Sequence, residues 1–308
     1  MAVNGVILID KPQGFTSFDV IAVVRRLTGQ RKTGHTGTLD PNATGVLPVL
    51  LGSATKAQDL IPNHDKRYTA DFKLGLCTDT LDIWGTVTAT QKAAVTRDAV
   101  TQSLQAFRGN ISQVPPMYSA LKKDGVRLYD LARQGVEVER EARQVTIYEL
   151  TLTAFDEEKQ EGTLTVFCSK GTYIRTLIDD IGKALGTGAV MTALRRTMAC
   201  GYSIDDCITL DALRTLHEQG QTDAALRSVE SLFAEYPVLK ISDAQAKRFQ
   251  NGGALALERT ALRHQPDCDG KRYRVTTYNG AFIGLGEADT QRQLLKIIKS
   301  FYFSSRLF

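Results

Sequence analysis

Little in this 308-residue chain points to metal or disulfide chemistry. Its five cysteines (Cys77, Cys168, Cys200, Cys207, Cys268) and four histidines (His35, His64, His217, His264) show no C-x-x-C or H-x-x-x-H spacing. That argues against a structural zinc and against a disulfide framework. A P-loop and a dinucleotide-type glycine-rich turn are also missing. The longest apolar runs, Val6 to Ile9 and Val46 to Leu51, fall far short of the roughly 20 residues a membrane-spanning helix needs. The N-terminus has no positive region ahead of a long apolar stretch, so no secretory signal is expected. The expectation is a cytoplasmic chain with no membrane association.

What is present is an ordinary globular composition, 43% hydrophobic and 23% charged, with length for about two domains. The net charge of +4 is a mild excess that permits a polyanionic partner without requiring one. Its distribution is more informative. Lys122, Lys123, Arg127, Arg133, Arg140 and Arg143 crowd around Tyr118 and Tyr129, while Arg25-Arg26 and Arg195-Arg196 form smaller pairs. Such residues suit a nucleic-acid surface, where cations neutralise phosphates and aromatics stack on bases. Glu137, Glu139 and Glu141 in the same region suit a solvated charged face equally well.

Gly5 to Pro12 has the pattern of a buried strand closed by a turn. A helix follows Ser17, with Val20, Val23, Val24 and Leu27 on one face. Tyr68, Ala70, Phe72, Leu74 and Leu76 alternate as one face of a strand. A helix is expected over Arg97 to Phe107, and Pro115-Pro116 opens the basic segment, an excursion of about residues 115–143. Val145, Ile147, Leu150 and Leu152 predict a strand paired with Leu164, Val166 and Cys168 across a polar turn. Ile174, Leu177, Ile178, Ile181 and Leu185 mark a helix face ended by Gly186-Thr187-Gly188, and a further helix falls at about 210–218. Beyond Tyr236-Pro237 come a short helix near Asp243 to Phe249 and strands at Tyr273 to Tyr278 and Ala281 to Leu285. Asn279-Gly280 between these strands is a strong hairpin signal. Mixed strands and helices without regular βαβ alternation indicate an α+β domain with a large sheet, followed by a small, mostly β second domain.

Asp40 lies in the stretch Gly34-His35-Thr36-Gly37-Thr38-Leu39-Asp40-Pro41-Asn42-Ala43-Thr44-Gly45. Pro41 drives the preceding residue away from helical geometry, and the glycines permit close approach or positive φ. The acid is either shaped for chemistry or capping a turn. Arg175 falls in the first turn of its helix, where the dipole disfavours a cation, so a nearby carboxylate is expected. Asp179, one turn on, is the local candidate. By periodicity alone Tyr68 is a core residue, His35 is a turn residue, and Asp82 belongs to a turn or a pocket.

Several segments occur in a fixed order: Gly-Val-Ile-Leu-Ile-Asp-Lys-Pro, the loop from Gly34 to Gly45, Lys66-Arg67-Tyr68 and Thr78-Asp79-Thr80. Pro116-Met117-Tyr118-Ser119-Ala120-Leu121-Lys122 and Ser169-Lys170-Gly171-Thr172-Tyr173-Ile174-Arg175 follow. That order resembles the bacterial tRNA pseudouridine-55 synthases of the TruB family, at high specificity from about residue 4 to 200 and more weakly beyond. The resemblance implies a catalytic domain over 1–236 with an RNA-clamping insertion at about 115–143, and a PUA-like RNA-binding domain over 237–308. It implies that Asp40 is the catalytic aspartate, Arg175 its partner and Tyr68 the ring that stacks on the target uracil. Tyr173 and Leu194 match pocket positions, with Asp82 a further pocket candidate. His35 matches the residue that fills the place vacated by the flipped base. Lys122, Lys123, Arg127 and Arg133 become RNA contacts of the insertion.

The implied reaction breaks N1–C1′ of a uridine and joins C5 to C1′, so no metal or other cofactor is expected. A carboxylate is needed to attack the sugar or base, or to stabilise developing positive charge and take a proton. The implied partner is the T stem-loop of tRNA, bound by a monomer needing no protein partner. Two other readings remain: a tRNA-folding RNA-binding protein with catalysis secondary, and a related synthase acting on other RNA.

Overall fold

The computed structural model describes residues 3–301 apart from Asp124; residues 302–308 of the expected C-terminal domain lie outside the described residues. The chain begins with β1 (Gly5–Lys11), α1 (Ser17–Thr28), β2 (Thr33–His35), β3 (Thr44–Leu51) and β4 (Lys66–Leu74). A small hairpin, β5 (Leu76–Thr78) and β6 (Val87–Thr90), precedes α2 (Arg97–Ser103) and β7 (Gly109–Gln113). The excursion contains β8 (Lys122–Lys123), β9 (Val126–Arg127) and α3 (Leu128–Arg133). Next come β10 (Arg143–Asp156), β11 (Glu161–Cys168), α4 (Ile174–Ala184), β12 (Ala189–Ala199), β13 (Tyr202–Ser203) and α5 (Leu210–Glu218). The C-terminal part holds β14 (Val238–Ile241), α6 (Asp243–Gln250), β15 (Leu255–Ala256), β16 (Arg272–Thr277), β17 (Phe282–Asp289) and β18 (Leu294–Ser300).

The main sheet runs β1-β3-β12-β4-β11-β10-β7, with β2 added to β3 and β13 to β12. Only the β3–β12 pairing along that path is parallel, so the sheet is mixed, as an α+β chain requires. That pairing sets Arg195 opposite Thr44 and Arg196 opposite Gly45, which brings the end of β12 beneath the Asp40 loop.

Both faces of β1 and β3 are covered, which explains their continuous apolar runs. Ile7, Ile9, Leu47 and Val49 pack against Val20, Ile21, Val24 and Leu27 of α1 and against Leu210 and Leu213 of α5. Val6, Leu8, Val46 and Leu50 face the other way into a cluster with Phe233, Leu285 and Phe301. The C-terminal sheet, ordered β14-β16-β17-β18-β15, therefore shares apolar packing with the main one. α4 lays Leu177, Ile178 and Ile181 on Tyr68, Ala70, Phe72 and Leu74 of β4. Each leucine, isoleucine or phenylalanine among them contributes roughly 1.5–3 kcal/mol when buried.

Local rules account for the boundaries. Thr16, rather than Ser17, caps α1, with Asp19 completing a reciprocal capping box. β4 stops before Leu76 because Gly75 takes φ +82°, so Leu76 starts the next strand. In β10 a register shift between Ile147 and Glu149 moves the buried phase from Val145 and Ile147 to Leu150 and Leu152.

Candidate active site

Asp40 sits in an irregular segment whose backbone is pinned residue by residue. Each carbonyl from Gly37 to Pro41 accepts a hydrogen bond. Arg196 donates to Gly37 (3.1 Å) and Thr38 (3.5 Å), the Ser17 hydroxyl to Leu39 (3.2 Å) and the Ala43 N–H to Asp40 (3.1 Å). The Pro41 carbonyl accepts from Lys11 Nζ and from the Gly14 N–H, both at 3.0 Å. Ser17 Oγ also accepts from the Leu39 N–H at 2.9 Å. One glycine is required here: Gly45 has φ +103°, and a Cβ there would lie 2.1 Å from the Arg196 carbonyl, whereas a Cβ at Gly37 would meet the end of the Lys66 stem at 3.3 Å.

Lys11 and Arg196 are both 0% exposed, with no carboxylate within ion-pair distance among the described residues. Their hydrogen-bond partners are carbonyls: Pro12, Phe15 and Pro41 for Lys11, and Gly37, Thr38 and Val46 for Arg196. Burial pushes the Lys11 ammonium down to about 8, with the charge of Asp40 working the other way.

Arg175 provides the counter-charge. Its Nε lies 3.0 Å from Asp40 Oδ2 and its Nη2 3.3 Å from Oδ1, a two-point grip. The same guanidinium donates to the carbonyls of Thr80 (3.0 Å) and Tyr118 (2.8 Å) and stands 3.9 Å from Asp82 Oδ2. The local alternative fails, because Asp179 pairs with Lys183 at 2.6 Å. Arg175 is 6% exposed while the Asp40 side chain is 40% exposed, so the carboxylate is reachable and its partner is sequestered. Gln113, at the end of β7, fixes the entry to α4: it donates to the Tyr173 carbonyl (3.1 Å) and accepts from the Tyr173 N–H (2.8 Å).

A cavity of about 570 Å³ opens beside Asp40, lined by Tyr68, Tyr173, Arg175 and Leu194 among others. Burial pushes the Tyr68 phenol up to about 12, with the Arg196 guanidinium opposing; burial likewise raises Tyr173. A second cavity of about 750 Å³ shares Asp40 and Arg175 and extends under the excursion to Asp82, Lys122, Arg127, Tyr129 and Arg133. Asp82 is raised by burial, although it accepts from the Thr80 hydroxyl at 2.7 Å and the Trp84 N–H at 3.2 Å. The Arg127 and Arg133 guanidinium groups lie 5.7 and 5.5 Å from the Tyr129 ring centre.

Two expected residues stand apart. His35 lines neither cavity; its Nδ1 accepts from the Gly37 N–H at 3.2 Å, its ring meets the exposed Phe18 edge-on, and burial lowers its basicity. Lys123 also lines neither cavity and donates to the Glu139 carbonyl at 2.9 Å. The Arg195-Arg196 pair is not a basic surface. Arg195 is paired with Asp10 at 2.8 Å and Arg196 is wholly buried. Among the described residues no group of three or more His, Cys, Asp or Glu could hold a metal ion. Lys11, Ser17, Gln113 and Arg196 escaped the sequence reading as supports of the site; only their long-range contacts reveal them.

The fold that carries this site has solved counterparts. The chain superimposes on a protein in "Crystal Structure of a Cbf5-Nop10-Gar1 Complex" with a TM-score of 0.73 at 28% identity, covering 97% of this chain and 85% of that one. A second match, in "Structure of H/ACA RNP bound to a substrate RNA containing 2'-deoxyuridine", has a TM-score of 0.72 at 25% identity, covering 98% and 86%. The TruB family pseudouridylate synthase N-terminal domain matches residues 25–174. The tRNA pseudouridylate synthase B C-terminal domain matches residues 175–234, and the pseudouridine synthase II TruB C-terminal model matches 237–294.

Relatives called tRNA pseudouridine synthase B include one from Azoarcus sp. (strain BH72), 46% identical and covering 92% of this chain and 91% of its own. Another, from Escherichia coli (strain K12), is 41% identical and covers 94% and 92%. This chain belongs to the TruB family of pseudouridine synthases.

Proposed function

We propose that the chain isomerises uridine 55 in the T loop of tRNA to pseudouridine, with Asp40 as the catalytic carboxylate. The observation that carries this reading is the two-point grip of buried Arg175 on a solvent-reachable Asp40, at the wall of a cavity faced by Tyr68, Tyr173 and Leu194. The target base leaves its stack at a cost of a few kcal/mol and enters this cavity, where the Tyr68 ring offers it a face. Asp40 then acts at the reacting nucleotide while the N1–C1′ bond breaks, the uracil turns, and C5 joins C1′. The proton on C5 leaves and N1 ends protonated, so the product is an isomer of the substrate. His35, on the strand that leads into the Asp40 loop and outside the cavity, fills the gap in the RNA stack.

The insertion supplies Lys122, Arg127 and Arg133 to the RNA, with Lys123 on its outer side. A monomer acting without protein partners, divided into a catalytic domain over 1–236 and a PUA-like RNA-binding domain over 237–308, belongs to the same proposal. The changeover of the family models between 234 and 237 supports that boundary. The test is tritium release from tRNA transcripts labelled at uridine C5. Release of one equivalent from a transcript carrying the T-loop uridine, and none from one in which that uridine is replaced, is the expected result. Equal release from both would refute the target.

A further inference from the structure

The cavity beside Asp40 extends well beyond what one pyrimidine ring needs, and its far end has a different character. There it is walled by Gln58, Asp59, His64, Lys66 and Lys170. Lys66 Nζ donates to the His64 carbonyl at 2.7 Å and, among the described residues, reaches no carboxylate within ion-pair distance, which leaves ammonium protons unspent. Exposed Lys170 has neither a hydrogen bond nor an ion pair among the described residues. Some lysines elsewhere do find carboxylates: Lys73 pairs with Glu161 at 2.7 Å and Lys183 with Asp179 at 2.6 Å.

Lys66 is also held in place, its stem passing over Gly37 of the Asp40 loop with Arg196 close by. Burial and the Arg196 charge lower its basicity; burial, Lys170 and Lys66 lower that of His64. Asp59 is the carboxylate on this wall, one negative charge against the two lysines.

We propose that His64, Lys66 and Lys170 form an anion seat that takes a backbone phosphodiester adjoining the uridine in the cavity. This rests on the RNA-modifying reading above. Lys66 and Tyr68 are two residues apart on one face of β4, about 7 Å by strand rise, within the reach of one nucleotide from base to phosphate. The cations thus stand where a base against Tyr68 would bring its own backbone. The fixed lysine sets the register of the strand, and exposed Lys170 closes on it from the turn before α4.

The test uses the full chain and a T stem-loop RNA. Lys170→Met should weaken binding about five- to tenfold and reduce the salt slope of log K by about 0.7 to 1, as expected for one lost phosphate contact. Lys66→Gln should do the same and Lys66→Arg should restore the slope. Lys159→Met, in the β10–β11 turn, should keep the wild-type slope. A neutral methylphosphonate at a linkage flanking the target uridine should weaken wild type by the same factor and cost Lys170→Met nothing further. Wild-type affinity and slope in Lys170→Met, or equal extra losses for both proteins at the flanking linkages, would overturn the seat. Failure of the wild-type chain to convert the unmodified stem-loop would instead overturn the functional reading.

Discussion

The Asp40 loop and the insertion invert the usual association of regular structure with firm placement. Residues 36–43 contain no strand or helix, yet five consecutive carbonyls are fixed, four by partners from β1, α1 and β12 and that of Asp40 by the Ala43 N–H within the loop. The insertion has a hairpin and a helix, but most of its residues from Lys122 to Arg143 are exposed or half-buried and Leu128 is its buried apolar anchor there. Its firmest link to the site is the Tyr118 carbonyl on Arg175. A reacting carboxylate needs a preorganised setting, whereas a surface that receives RNA needs charge and reach. The loop should therefore govern rate and the insertion capture.

Arg175→Ala should break the division on the rate side. It removes both contacts to Asp40 and leaves the Thr80 and Tyr118 carbonyls without their donor, so turnover should fall about 10²- to 10³-fold. Single-turnover kinetics at saturating RNA would measure this, and wild-type rates would remove Arg175 from the mechanism. The triple change Lys122→Ala, Arg127→Ala, Arg133→Ala tests the other side. Binding should weaken roughly 10- to 100-fold, with a salt slope lower by about two to three, and the rate at saturation should fall far less. A rate loss matching that of Arg175→Ala would erase the distinction.

Ser17→Ala probes the bracing itself. Leaving both backbone groups of Leu39 unpartnered in a buried place should cost about 1–3 kcal/mol of stability and about tenfold in rate through misplacement of Asp40. Thermal unfolding and single-turnover rates would read the two effects. The smallest effect concerns Tyr68. With its phenol pushed up to about 12, the folded state holds that proton where an unfolded chain, near its ordinary 10, releases it. Native stability from this group is therefore full below pH 10 and declines as pH rises towards 12. Tyr68→Phe should flatten that decline while leaving the shape of the pH–rate profile between pH 7 and 9 unchanged.

Much of this arrangement was legible in the sequence. The periodicities of α1, β4 and α4 follow from which face each element buries, and the dipole conflict at Arg175 correctly announced a carboxylate. The ordered motifs then selected Asp40 over Asp179. The supports were not legible because their meaning is non-local. Arg196 occurs in a run that reads as surface charge, yet β12 lies between β3 and β4 and carries it into the interior. The register shifts at Met191–Ala193 and Arg196–Met198 break the alternation that would have marked the strand. Ser17 has the composition of a helix cap, but with Thr16 in that role its hydroxyl is free to hold Leu39.

The most direct test replaces one oxygen of Asp40. Asp40→Asn keeps the size of the side chain and removes its charge, so C5 tritium release from saturating tRNA should fall by about 10³-fold or more, with RNA affinity within about threefold of wild type because capture resides elsewhere. Wild-type release by Asp40→Asn would contradict the assignment of this carboxylate as the reacting group.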